Sequence, residues 1–414
     1  MKAVFIVIDG MGDRPLKEHS WKTPLELATT PALDYLAKMG ACGILYAIRP
    51  GLPPGSGAAM LSLLGYDPFV HYRGRGALEA LGSGVDIQSG DVAFRTNFSS
   101  VDENRVVLER RAIRYPNIGD EYKLAKIIND IRIEGFPEVK VIFNVAKEYR
   151  GSLIFRGPKL SRMVSSSDPE VVGEKAREVK PLDDSQEAMR TAKIVNQFSE
   201  QVYQTLNDHS INEKRRQEGS EPANYLLIRG ASTLMALESL ESIFGIKTAC
   251  ISKDPMARGV AMSAGMDIIE VEGATGDIDT NALAKGQAVV DNIDKYDLIY
   301  VHILGSDVAS HDGSLENKKM MIEKVDGMVK LITEELGLEE TVIAVTADHA
   351  TPIKLKKHTG DFVPLVIAGK AVITDEVEFF SERACSRGGL NTVAGIDLMQ
   401  ILVNLLGKAE RYGA

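Results

Sequence analysis

Residues 341–360 read TVIAVTADHATPIKLKKHTG. The first half is an apolar, β-branched run, as expected of a strand buried on both faces. It ends in Asp348-His349, and His358 follows in the next loop. Open α/β sheets place their ligands just outside the carboxyl ends of strands. The same arrangement occurs upstream: DLIYVHILG (297–305) runs into Asp307 and then His311, and AVFIVI (3–8) runs into Asp9. PLVIAG (364–369) is another short buried strand. Between two of these strands, SLENKKMMIEKVDGMVKLITEELG (314–337) is apolar at helical spacing and ends at Gly337. This alternation predicts an α/β fold with a doubly wound sheet, and it brings Asp9, Asp307 and Asp348 to one sheet edge.

The strands that carry these aspartates lie at both ends of the chain. The expected domain is therefore discontinuous, residues 1–70 plus 240–414, with 75–235 inserted as a second α/β domain. A length of 414 residues is itself long for one core. The middle has its own texture. Residues 71–115 are rich in arginine, 121–155 alternate helix-like and strand-like runs, and 186–219 read as polar helix followed by loop.

Composition narrows the function. With 48 Lys+Arg against 58 Asp+Glu the net charge is −10, which argues against a nucleic-acid binder. No apolar run approaches the ~20 residues of a membrane span. The start MKAVFIVIDG reads as a strand rather than a signal peptide, because an aspartate directly follows the apolar run. The three cysteines, Cys42, Cys250 and Cys385, are widely spaced and form no CxxC, so a reducing, cytoplasmic location is expected. There is no GxxxxGK[ST] loop for an ATP-driven mechanism.

Carboxylates and imidazoles in this pattern suit Zn²⁺ or Mn²⁺. Ser56 lies in PPGSG, where two prolines and two glycines predict a tight exposed turn. A metal-bound serine hydroxyl loses its proton more readily and becomes a nucleophile, and two metals about 4 Å apart can hold both oxygens of a phosphoryl displacement. His302, inside a strand, reads as a hydrogen-bonded histidine behind the ligands. The arginines Arg73, Arg75, Arg95, Arg110, Arg111 and Arg114, clustered in an acidic protein, suit carboxylate and phosphate recognition. Arg229, at an expected strand end, and Arg258 are further candidates.

Taken in order, IDGMGDRP (8–15), PGSGAAMLSLLGYDP (54–68), RGRGALEALG (73–82), RTNF (95–98), ERRAIR (109–114), YRGSLIFRG (149–157), SDVASHDG (306–313) and TADHATP (346–352) resemble the archaeal-type, cofactor-independent phosphoglycerate mutases of the alkaline phosphatase superfamily. The resemblance covers nearly the whole chain. It implies an alkaline-phosphatase-like domain with an inserted substrate-binding domain and a phosphoserine intermediate on Ser56. It also implies two divalent ions, Mn²⁺ foremost with Zn²⁺ or Co²⁺ compatible, and no 2,3-bisphosphoglycerate. Asp9, Ser56, Asp348 and His349 would hold one ion, and Asp307, His311 and His358 the other. By looser analogy, Arg229 and Arg258 would hold the transferring phosphoryl group. The implied substrate is a phosphoglycerate, with neither nucleic acid nor membrane as partner; the oligomeric state is not legible.

Some positions depart from the family pattern. Gly57 stands where an acidic residue is usual, Met60 replaces a histidine, Leu304 a lysine and Ser310 a glycine, and Ser166-Ser167-Asp168-Pro169 replaces DTDP. These departures leave two alternatives open: a phosphomonoesterase or mutase of another small phosphoester, and a non-catalytic metal-binding paralogue.

Overall fold

The computed structural model describes residues 1–113, 119–411 and 413; Arg114, one of the candidate arginines, lies outside the described residues. The chain divides into two compact units, Met1–Tyr72 with Ala236–Ala414, and Arg73–Met235.

The first unit is built on an eight-stranded sheet. Its order is Asn391–Ala394, Gly40–Tyr46, Val363–Ala368, Thr341–Thr346, Lys2–Ile8, Leu298–Ile303, Thr248–Ile251 and Asp267–Ile268. Lys2–Ile8 is parallel to both neighbours, with Val7 opposite His302 on one side and Thr346 on the other. Every residue from Ala3 to Ile8 is fully buried. A strand inaccessible on both faces cannot alternate polar and apolar residues, hence the continuous apolar run.

The helix Leu315–Leu336 makes the crossover between Leu298–Ile303 and Thr341–Thr346. Ser314 caps its start by accepting the Asn317 N–H, and Gly337 ends it at φ 64°. Met321, Ile322, Val325, Met328, Val329 and Ile332 are its buried stripe, at the spacing an amphipathic helix requires. Val363–Ala368 departs from the doubly wound pattern and runs antiparallel to both neighbours. The 16 residues that precede it, 347–362, contain no helix. Without a crossover element the chain turns back on the sheet, and the direction reverses.

The second unit is a five-stranded antiparallel sheet. Val92–Val101 pairs with Val107–Glu109, Arg150–Arg156 and Tyr225–Ser232, and Lys140–Lys147 pairs with Arg150–Arg156. The helices Asp120–Asn129 and Gln186–Leu206 contribute to its core. Phe94, Phe155 and Phe198 meet edge to face there at 5.7 and 5.2 Å, a favoured aromatic geometry.

Candidate metal centre

Asp9 immediately follows the central strand, and Gly10 turns the chain at φ +64°. The Gly10 N–H donates to Asp348 Oδ1 at 3.2 Å. A Cβ on Gly10 would lie 2.5 Å from Asp307 Oδ1, so this position has no room for a side chain. The three aspartates are thus drawn together around one glycine. The Asp9 and Asp348 turns are also sewn to each other, with the Thr351 N–H donating to the Gly12 carbonyl at 3.0 Å.

Asp307 and His311 lie on a helix, Gly305–Asp312, not on the loop expected after a strand end. Their i,i+4 spacing puts both on one face, and His311 Nε2 stands 3.3 Å from Asp307 Oδ2. Ser56 also differs from expectation. It is the half-buried first residue of the helix Ser56–Leu63, because Gly55 is extended at φ −86°, ψ 146° and delivers the chain into a helical turn. A helix N-terminus carries partial positive charge and favours an anion there.

Among the described residues the candidate ligand atoms form two groups that share His349. Those of Asp9, Asp348 and His349 lie within 4.8 Å of one another, as do those of Asp307, His349 and His358. His349 Nε2 is 3.3 Å from both Asp9 Oδ1 and Asp348 Oδ2, and Ser56 Oγ is 3.3 Å from the same nitrogen. His358 Nε2 is 3.7 Å from Asp307 Oδ1 and 3.2 Å from His311 Nε2. The first group has no exposed side-chain surface, whereas the side chain of His311 is 43% exposed.

The surroundings fit a cation. His311 Nδ1 and His358 Nδ1 each lie 2.8 Å from a backbone carbonyl, of Lys356 and Pro54 respectively. Each ring therefore turns Nε2 inward, the usual state of a metal-binding histidine. Asp348 Oδ2 is buried with no hydrogen-bond partner among the described residues. Burial, then the charges of Asp9 and Asp307, push the Asp348 carboxyl well above its ordinary range. Burial also pushes the His349 imidazole well down, keeping it neutral. Burial raises Asp307 too, but the hydrogen bond from His311, with the pull of the surrounding imidazoles in their protonated form, more than offsets it, and the net shift is downward. Crowded carboxylates facing neutral imidazoles are stabilised by a divalent ion. His302 sits behind this set, fully buried, with Nε2 3.1 Å from Asp9 Oδ2.

The candidate arginines are distributed differently. In the second unit, Arg75 and Arg95 share Glu79 at 3.0 and 2.8 Å, and Arg110 and Arg229 share the buried Asp168 at 2.7 and 3.3 Å. Arg229 is inside the strand Tyr225–Ser232, not at its end, because pairing with Val92–Val101 extends past it; Arg95 is its register partner. Arg111 is exposed, 5.5 Å from the Tyr149 ring. Arg258 belongs to the first unit and forms an ion pair with Glu270 at 2.7 Å. Glu79 and Asp168 organise four of these arginines; Glu79 carried no signal in the sequence beyond being acidic, whereas Asp168 lies in the segment that stands in place of DTDP. At Gly57 a Cβ would lie 2.8 Å from Met256 Sδ, so a side chain there would require that methionine to shift.

Comparison with known proteins places this geometry. Residues 1–405 match the family described as the Metalloenzyme superfamily. The 2,3-bisphosphoglycerate-independent phosphoglycerate mutase 1 of Methanocaldococcus jannaschii is 47% identical over 414 residues, covering 100% of this chain and 99% of the relative. A Methanococcus maripaludis 2,3-bisphosphoglycerate-independent phosphoglycerate mutase is 43% identical, with both chains covered in full. Among solved structures, the cofactor-independent phosphoglycerate mutase of Thermoplasma acidophilum superposes with a TM-score of 0.72 at 34% identity, covering 98% of this chain and 100% of that one. A Pyrococcus horikoshii protein superposes at 0.84 with 35% identity, covering 100% and 99%. With full-length relatives above 40% identity and a family match over residues 1–405, the chain belongs to the 2,3-bisphosphoglycerate-independent phosphoglycerate mutases of the Metalloenzyme superfamily.

Proposed function

We propose that this chain interconverts 2-phosphoglycerate and 3-phosphoglycerate through a phosphoserine on Ser56, with no 2,3-bisphosphoglycerate. The observation that carries the reading is the place of Ser56: a helix N-terminus, with Oγ 3.3 Å from His349 Nε2 in the carboxylate–imidazole cluster. Asp9, Ser56, Asp348 and His349 would hold one divalent ion, and Asp307, His311 and His358 the other, with Mn²⁺ as the expected species. When bound, the ions supply charge neutralisation and lower the pKa of a coordinated hydroxyl.

The chain's own residues do the rest. Ser56 Oγ forms a bond to phosphorus as the bond to the glycerate oxygen breaks. The serine proton is transferred to that oxygen, and glycerate is left as a diol. Glycerate then turns, its other hydroxyl attacks the phosphoserine, and Ser56 recovers its proton. The amide groups at the start of helix Ser56–Leu63 favour the anionic phosphoryl group. Arg75, Arg95, Arg110, Arg111 and Arg229 are the proposed recognition surface for carboxylate and phosphoryl oxygens, since a planar guanidinium matches both. Glu79 and Asp168 neutralise only part of that cluster. Water must be kept from the phosphoserine, because its attack would turn a mutase into a phosphatase.

The test is an assay on chelated, Mn²⁺-reloaded protein with 3-phosphoglycerate and no 2,3-bisphosphoglycerate. Appearance of 2-phosphoglycerate without free phosphate is expected, and no activity before reloading. Phosphate release without 2-phosphoglycerate would instead favour a phosphomonoesterase.

A further inference from the structure

Thr351 stands just past the Asp348-His349 pair and is fully buried. Its Oγ1 is 2.8 Å from Asp307 Oδ1 and 3.0 Å from His349 Nδ1. A carboxylate can only accept, so the hydroxyl proton is committed to Asp307, and the second contact needs Nδ1–H as its donor. That leaves the lone pair on His349 Nε2, the atom 3.3 Å from Asp9, Asp348 and Ser56.

The threonine is itself held. Its N–H donates to the Gly12 carbonyl at 3.0 Å. Its carbonyl accepts from Lys318 Nζ at 3.1 Å, and the same ammonium reaches the Gly12 carbonyl at 3.2 Å and Asp13 Oδ2 at 2.9 Å. Lys318 is fully buried within an otherwise amphipathic helix. Asp13 Oδ2 also accepts the Ile353 N–H at 3.1 Å, which closes the clamp on both turns.

We infer that the Thr351 hydroxyl is a positioning group shared by both metal positions: one oxygen sets the His349 tautomer and aims Asp307. The inference rests on the two-metal reading given above. Removing the hydroxyl should loosen a ligand of each ion at once, whereas removing a terminal ligand such as His311 should loosen one. Partners of metal ligands typically matter by about 10- to 100-fold in affinity.

The experiment is a calorimetric Mn²⁺ titration of the full-length, metal-stripped chain as wild type, Thr351→Val, Thr351→Ser and His311→Ala. Wild type is expected to take up two ions. Thr351→Val should weaken both by roughly 10- to 100-fold, Thr351→Ser should restore both, and His311→Ala should weaken one. Two ions bound by Thr351→Val with wild-type affinities would overturn this inference alone. Fewer than two ions bound by wild type would overturn the two-metal reading and this inference with it. If the valine variant does not fold, Thr351→Ser and Thr351→Ala make the same comparison, since both lack the methyl and only serine keeps the hydroxyl; identical isotherms would then overturn the inference.

Discussion

At the scale of single residues, the centre depends on atoms that other side chains would displace. Gly10 shows this most directly. Gly10→Ala would force a Cβ into the left-handed region and to within 2.5 Å of Asp307 Oδ1. The backbone cost alone is about 1–2 kcal/mol, and relief of the clash must move Asp307. Lower Mn²⁺ affinity together with a lower melting temperature is expected, read by titration and thermal unfolding; unchanged affinity would mean that Asp307 can shift without loss. Ser56→Ala should behave in the opposite way. The side chain is half-buried at a helix start, so folding should be retained while isomerisation and the phosphorylated protein detected by mass spectrometry both vanish. Residual turnover above about a hundredth of wild type, some 2.7 kcal/mol of barrier, would exclude the phosphoserine route.

At the scale of elements, caps and crossovers position the ligands. The helix Leu315–Leu336 follows directly on the Asp307/His311 helix and carries Lys318. Its start depends on the Ser314 cap, so Ser314→Ala should cost about 1 kcal/mol, visible as a few degrees in melting temperature with kcat unchanged. How much could be read beforehand divides along physical lines. The strand run AVFIVI and the helix ended by Gly337 were legible because continuous or periodic apolarity records burial directly. The helical turn Gly305–Asp312 was not, because GSDVASHD has no sustained apolar period, although the i,i+4 spacing of Asp307 and His311 already hinted at one face. The reversed direction of Val363–Ala368 was hidden because a strand's sequence reports which faces are covered, not which way it runs. Lys318 and Thr351 were equally silent: within SLENKK nothing separates the fully buried Lys318 from Lys319, and the importance of a threonine in DHATP depends on where a turn points its hydroxyl.

At the scale of the molecule, buried charge makes stability depend on pH. Glu382 is buried and accepts hydrogen bonds from Thr23 Oγ1 at 2.7 Å and the Asp13 N–H at 3.2 Å. Burial raises its carboxyl from an ordinary 4.5 to about 7. The folded protein therefore binds this proton more tightly than the unfolded chain does. Its stabilising contribution is complete below about 4.5 and is lost as pH rises through about 7. The effect is on the order of 3 kcal/mol at most. Glu382→Gln should flatten the melting-temperature profile across that window; a profile as steep as wild type would assign the pH dependence to other groups.

The central position of Lys2–Ile8 has a consequence for how the protein is made. This strand is made well before the strands beside it: the nearer of them in sequence, Leu298–Ile303, is 290 residues downstream of Ile8. At about 5–20 residues per second the wait is roughly 15–60 s. During it an apolar strand has no edge to join, while the strands and helices of Arg73–Met235 find all their sheet partners within that segment. Lys2–Ile8 is therefore the segment most in need of a chaperone during synthesis. With His358 as a proposed ligand, full occupancy of its site has to wait until residue 358 has been made, long after Asp9.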